Sequence, residues 1–258
     1  MAAIHSARRK LTAYALAGRA FELDLQHREA ARSLRHVLRH FPADAGPTTV
    51  LSLDGPTRGA TRFSEILAAT LRLTARELFP EHVLLHAAAI VGARGATLFV
   101  GPSGVGKTTI AIVAQRCGLS VLADDVACVR VADQTVLAAP VRLRARPATT
   151  RFFGQPRVRP PSAQAKLVEV VLLGAGGRTD AEVFGAQALI TELPSDARWE
   201  AACQLARVIE GVPIRRMPRL VLHELAGQRR AQRRLAQLFC SLGVEPELVT
   251  RALASMTP

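Results

Sequence analysis

The residues best suited to chemistry form one short run: Gly101-Pro102-Ser103-Gly104-Val105-Gly106-Lys107-Thr108. The run fits the pattern GxxxxGK[ST] and lies between an apolar, strand-like segment, Ala96–Val100, and a helix-like one. Glycines let successive backbone N–H groups turn inward on an anion, and the following helix points its positive end at the same place. Gly101, Ser103, Gly104, Val105, Gly106, Lys107, Thr108 and Thr109 then form the set that holds a nucleoside triphosphate. Lys107 supplies a mobile cation for the β- and γ-phosphates, and Thr108 offers its hydroxyl to a Mg²⁺ ion bridging them. The expected cofactors are ATP and Mg²⁺, although no segment selects adenine over guanine.

Asp124 and Asp125 come next in the argument, because acids near such a loop decide the fate of the γ-phosphate. The chain between Lys107 and this pair has room for one helix and one short strand. Both aspartates therefore belong at the carboxyl end of a strand beside the loop, where open parallel sheets bind ligands. Adjacent side chains on extended backbone point in different directions. One carboxylate can then orient the metal while the other accepts a proton from an attacking hydroxyl or water.

The elements that must position these residues read as one α/β domain with a small N-terminal elaboration. Strand-like pieces at Leu11–Ala17, Ala20–Leu25 and Thr48–Leu53 are joined by turns, with a short basic helix over 27–40. Phe63, Ile66, Leu67, Leu71 and Leu78 recur at helical spacing across Arg62–Phe79, and Pro80 stops the run. Strands are predicted at His82–Val91 and Ala96–Val100 around the turn Gly92-Ala93-Arg94-Gly95, and a helix at Gly106–Cys117 stopped by Gly118. Further strands follow at Leu119–Ala123, Val126–Val131, Thr135–Ala139, Leu167–Leu173 and Val212–Met217. Helices are predicted at Gln187–Leu193, Asp196–Ile209 and beyond Gly227. The expected organisation is a strand-rich segment over 1–60, a core over 61–225 and a helical extension over 226–258.

His86-Ala87-Ala88-Ala89, Gly101–Thr109 and Leu122-Ala123-Asp124-Asp125-Val126 together resemble the catalytic core of the HPr serine kinase/phosphorylase family. More closely, they resemble the HPr-kinase-related enzymes found beside peptide-tailoring genes. The resemblance covers residues 82–132 and extends more loosely to about Leu225. It implies a P-loop-containing, phosphoenolpyruvate-carboxykinase/HPr-kinase-like α/β fold, a mixed sheet with flanking helices. By the same resemblance Asp124 is the general base for an acceptor serine hydroxyl, Asp125 a magnesium or water ligand, and His86 a residue near the site. The family's acid-bearing glycine-rich signature, expected near Thr149–Gly154, is not in this sequence, and the segment ahead of His82 is short. Both departures point away from HPr as the substrate and toward another protein, a biosynthetic peptide or a small hydroxyl compound.

Composition sets the outer bounds. The 258 residues are 49% hydrophobic and 21% charged, which excludes dominant disorder, and no apolar run is long enough to span a membrane. The first ten residues are basic, but the apolar run after them, Leu11–Gly18, is short for a signal peptide, so a cytoplasmic protein is expected.

 The net charge of +13 favours anionic partners, and with only three lysines (Lys10, Lys107, Lys166) it is carried almost wholly by arginine. An acidic or anionic peptide or protein surface is the partner this charge suits. Aromatic residues suited to base stacking are scarce, so specific nucleic-acid binding is not expected. Oligomer formation is left open by the sequence, although the resemblance includes oligomeric enzymes. Arg142, Arg144, Arg146, Arg151, Arg157 and Arg159 crowd a proline-rich stretch, from which one could reach a transferring phosphoryl group. Arg229, Arg230, Arg233 and Arg234 sit opposite Leu235, Leu238, Phe239 and Leu242 on an amphipathic helix. Cys117, Cys128, Cys203 and Cys240 have neither metal nor redox spacing and read as packed, reduced thiols. The leading functional expectation is an ATP-dependent kinase that transfers the γ-phosphate to a peptide or protein hydroxyl. The alternative is a regulatory nucleotide-binding module that hydrolyses slowly.

Overall fold

The computed structural model describes residues 12–24, 48–52, 63–124, 126–139, 164–188, 195–220 and 229–254. Chain contacts divide the protein into two compact units, Met1–Glu77 and Leu78–Pro258. This division puts the helix before Pro80 with the N-terminal strands, whereas the sequence reading had grouped it with the core.

In the first unit, β1 (Thr12–Leu16) and β2 (Arg19–Asp24) form an antiparallel hairpin, and β3 (Thr48–Ser52) pairs parallel to β2. The hairpin turns through Ala17 and Gly18, both at positive φ, which matches the right-handed twist of the flanking strands. Alternate residues Tyr14, Leu16, Phe21 and Leu23 are buried, as a strand with one core face requires. Tyr14 stacks on Phe21 with ring centroids 5.4 Å apart. Its hydroxyl also meets Thr74 of α1 (Phe63–Leu78), and burial pushes the Tyr14 phenol well above its ordinary pKa.

The second unit is mixed α/β: an eight-stranded mixed sheet with flanking helices. Its strands are β4 (His82–Leu85), β5 (Ala87–Gly92), β6 (Gly95–Val100), β7 (Ser120–Ala123), β8 (Ala127–Arg130), β9 (Thr135–Leu137), β10 (Gln164–Leu173) and β11 (Ile214–Met217). The order is β4-β8-β9-β10-β6-β5-β7, with β11 also on β10. The helices described are α2 (Lys107–Arg116), α3 (Asp180–Gln187), α4 (Ala197–Ile209), α5 (Arg229–Ser241) and α6 (Pro246–Ala254). None of the described helices is long and apolar enough to cross a membrane.

β5 and β6 are short, largely apolar strands buried on both faces. Ala88, Ile90 and Phe99 join one core with Ile110 and Val113 of α2, Leu235, Leu238 and Phe239 of α5, and Val249 of α6. Ala87, Ala89, Leu98 and Val100 are equally buried but alternate with that set, so they face the other side. The C-terminal helices are therefore built into the core that carries the central sheet. β10 changes partners along its length: Gln164–Lys166 pair with β9, and from Leu167 the strand pairs with β6, with a register irregularity between Leu167 and Glu169.

Three details depart from the sequence reading. The run His82–Val91 is two strands, because the chain bends at His86: β4 pairs with β8, and β5 pairs with β6 and β7. α3, which ends at Gln187, was not expected; it is started by a capping box in which Thr179 and Glu182 bond reciprocally, and residues 189–193 of the helix expected over Gln187–Leu193 lie outside the described residues. Beyond Gly243 a second C-terminal helix, α6, follows the expected one. By contrast, Gly118, at φ 83, stops α2 where the sequence placed the stop. The expected basic helix over 27–40 and the proline- and arginine-rich stretch over 140–161 lie outside the described residues.

Candidate functional site

Strand directions gather the site before any side chain is considered. β6 and β7 both run antiparallel to β5, while β10 runs parallel to β6 and β11 parallel to β10. The carboxyl ends of β6, β7, β10 and β11 therefore share one sheet edge, together with the start of β5. Gly101 leaves β6 there, Asp124 leaves β7, and His86 precedes β5, the strand between them.

The Gly101–Thr108 loop joins β6 to α2, and its glycines are needed for two separate reasons. Gly104 and Gly106 have φ of 88° and 109°, where side chains are strained. Space is also short: a Cβ on Gly101 would stand 2.5 Å from the Leu173 carbonyl oxygen, and one on Gly106 would stand 2.8 Å from Leu220 Cβ. Gly106 takes the N-cap position of α2 and no side chain caps that end of the helix. A glycine N-cap with an uncapped first turn leaves backbone donors facing the loop, which is the arrangement an anion requires.

Lys107 is only 6% exposed and curls back over the loop, where Nζ donates to the carbonyl oxygens of Gly101 at 2.6 Å and Pro102 at 3.1 Å. Its charge is thus held inside the loop. Thr108 Oγ1 donates to Asp124 Oδ2 across 3.4 Å, and Asp124 is 3% exposed. The loop hydroxyl and the strand-end carboxylate, separate in sequence, meet at the mouth of the loop. Ser103 and Gly104 at the loop's tip are exposed, Val105 is buried in the core, and Thr109 is buried within α2.

His86 is half-buried at the bend between β4 and β5 and is fixed by α3. Its backbone N–H donates to the Gln187 carbonyl oxygen at 2.7 Å, and its Nδ1 lies 3.0 Å from Gln187 Oε1. Asp125 lies outside the described residues, and so do all six arginines from Arg142 to Arg159. Among the described residues, no group of three or more His, Cys, Asp or Glu gathers as a metal site. The Thr108 hydroxyl is a hard oxygen donor that suits Mg²⁺ when phosphate oxygens complete its shell, and the Asp124 carboxylate stands beside it.

The structure adds neighbours that sequence reasoning missed. The chain leaving β11 crosses to the loop, where Leu220 N–H donates to the Val105 carbonyl oxygen at 2.9 Å. Leu220 is buried against Val105 and Gly106, while Arg219 is exposed. A Cβ built on Gly174, just after β10, would lie 3.6 Å from Arg219 Cβ and 3.1 Å from Val105 Cγ1. Pro218, directly after the strand, was the local sign that β11 ends there; that its end reaches the loop follows only from its parallel pairing with β10.

The thiols divide by burial. Cys117 and Cys128 are buried, and burial pushes the Cys128 thiol up to about 12, whereas Cys240 is exposed instead of packed. All four are free.

No protein-family model matches the chain, and no curated protein matches it.

Proposed function

We propose that the protein is an ATP-dependent kinase of the HPr-kinase-like type, with the phosphoenolpyruvate-carboxykinase-like fold that this implies. In this reading it transfers the γ-phosphate to a hydroxyl, a serine of a peptide or protein other than HPr. The observation that carries the reading is the meeting of Thr108 and Asp124, 3.4 Å apart, beside the lysine-bearing glycine loop. The loop N–H groups and Lys107 hold the β- and γ-phosphates, with the lysine exchanging its loop carbonyl partners for phosphate oxygens. Mg²⁺, when bound with the nucleotide, neutralises phosphate charge; Thr108 and Asp125 are its proposed protein ligands.

Asp124 accepts the proton of the acceptor hydroxyl as that oxygen attacks the γ-phosphorus in line. A carboxylate suits this role when it stands within hydrogen-bond reach of the incoming hydroxyl and is kept from bulk water. Its burial meets the second condition, and its contact with Thr108, the proposed magnesium ligand, supports a place near the γ-phosphate. His86, held by Gln187 at the same sheet edge, is the second polar group for the acceptor side.

The test is transfer of label from γ-labelled ATP, with Mg²⁺, to serine-containing peptides or to lysate proteins from the protein's own source. The reading predicts labelled phosphoserine, lost in Asp124→Asn while ATP affinity is kept. If Asp124→Asn instead loses Mg²⁺-dependent ATP affinity, Asp124 is a metal ligand and the base lies elsewhere. Label released only as free phosphate, slowly and whatever is added, would replace the kinase with the regulatory hydrolase.

A further inference from the structure

We infer that Arg219 is a phosphate-contacting residue of this site, closing the nucleotide's phosphate chain from the flank opposite Asp124. The inference rests on the proposed nucleotide reading and adds to it a cation that the glycine-loop motif does not contain.

Three observations support it. First, topology: the sheet order β11-β10-β6-β5-β7 puts the end of β7, with Asp124, on one side of the loop and the end of β11 on the other. Second, anchoring: the Leu220 N–H bond to the Val105 carbonyl and the close packing of Leu220 on Gly106 fix the backbone next to Arg219 onto the loop itself. Leu220 is turned into the core, whereas Arg219 beside it is exposed. The Arg219 Cβ lies beside Gly174, whose lack of a side chain lets the Arg219 backbone and Val105 approach each other closely.

Third, commitment: the other arginines of this segment already have partners. Arg215 pairs with Glu169 at 3.1 Å, and Arg216 pairs with Asp180 at 2.5 Å. Among the described residues, no carboxylate or carbonyl holds the Arg219 guanidinium. An arginine fixed by its backbone beside the proposed nucleotide loop, and not spent on any described carboxylate, suits the forked recognition of phosphate oxygens.

The experiment is titration of the full-length protein with Mg²⁺-ATP in three variants: Arg219→Ala, Arg219→Lys and Arg216→Ala. Loss of one charge-assisted contact predicts about 10- to 100-fold weaker ATP binding in Arg219→Ala. Arg219→Lys should recover part of it, and Arg216→Ala should match the parent. The difference between Arg219→Ala and the parent should narrow as salt is raised, which a packing defect would not produce. Thermal unfolding without nucleotide should be the same in parent and Arg219→Ala, because the side chain is exposed. Parent-like ATP binding by Arg219→Ala would overturn the inference and leave the nucleotide reading standing. A parent protein that binds no ATP would overturn both.

Discussion

On the β7 side of the Gly101–Thr108 loop the proposed chemistry is carried by buried side chains: Asp124, almost without exposure, meets Thr108 on the loop. On the β11 side it is carried by backbone. Leu220 is pinned to Val105 through its N–H, and Arg219 projects from that pin into solvent. The first flank is built to keep a carboxylate dry and in place, and the second to hold a mobile cation near without burying it. A buried carboxylate must keep its partners, whereas an exposed arginine keeps its charge at little cost until an anion arrives. The two flanks should therefore respond differently to mutation.

The largest effect should come from Lys107→Ala, which removes the charge between the flanks. ATP binding should weaken by about 100-fold or more, read by calorimetric titration, and phosphoryl transfer should vanish with it. Asp124→Asn should lower transfer by about 10²- to 10⁴-fold, read in a label-transfer assay, with ATP affinity largely unchanged. Equal loss in both measurements would erase the proposed distinction between the flanks.

Gly106→Ala tests the β11 flank from the loop's side. Its positive φ and the nearness of Leu220 together predict about 1–3 kcal/mol of destabilisation in thermal unfolding, along with weaker ATP binding. Gly118→Ala has a positive φ too but open space around the new Cβ, so it should destabilise less and leave ATP binding alone. A larger effect at Gly118 than at Gly106 would argue against the close packing of the loop on Leu220.

The smallest effect concerns thiols distant from this comparison in role. Cys240 should react with an alkylating reagent at pH 8, whereas Cys128 should react only on unfolding. Burial raises the Cys128 thiol to about 12, so the folded state holds its proton more tightly than the unfolded chain. The stabilisation is complete below the unfolded thiol pKa of about 8.5 and is lost as pH rises toward 12. Denaturant midpoints measured upward from pH 8 should fall, and Cys128→Ser should flatten that fall.

The two flanks also differ in how far the sequence exposed them. Lys107, Thr108 and the strand–loop–helix around them were legible because the motif is local: its glycines, cation and hydroxyl are consecutive, and Gly118 marks the helix stop. Asp124 was legible one step further, as an acid at the end of the next strand. Arg219 was hidden because its place depends on β11 pairing parallel with β10, a contact between distant segments with no local signal. The bend at His86 was hidden for the same reason. His82–Val91 is apolar apart from its two histidines and carries no glycine or proline to mark a break, so only its pairing with different strands and the hold of Gln187 divide it. The capping box at Thr179 was a readable local signal for α3 and was overlooked, so that helix was not expected.

The measurement that tests the account most directly is calorimetric titration of the full-length protein with Mg²⁺-ATP beside Lys107→Ala. The account predicts saturable binding at one site in the parent and none in the variant at the same concentrations. Absence of binding in the parent, or undiminished binding in Lys107→Ala, would contradict the claim that the Gly101–Thr108 loop holds a nucleotide.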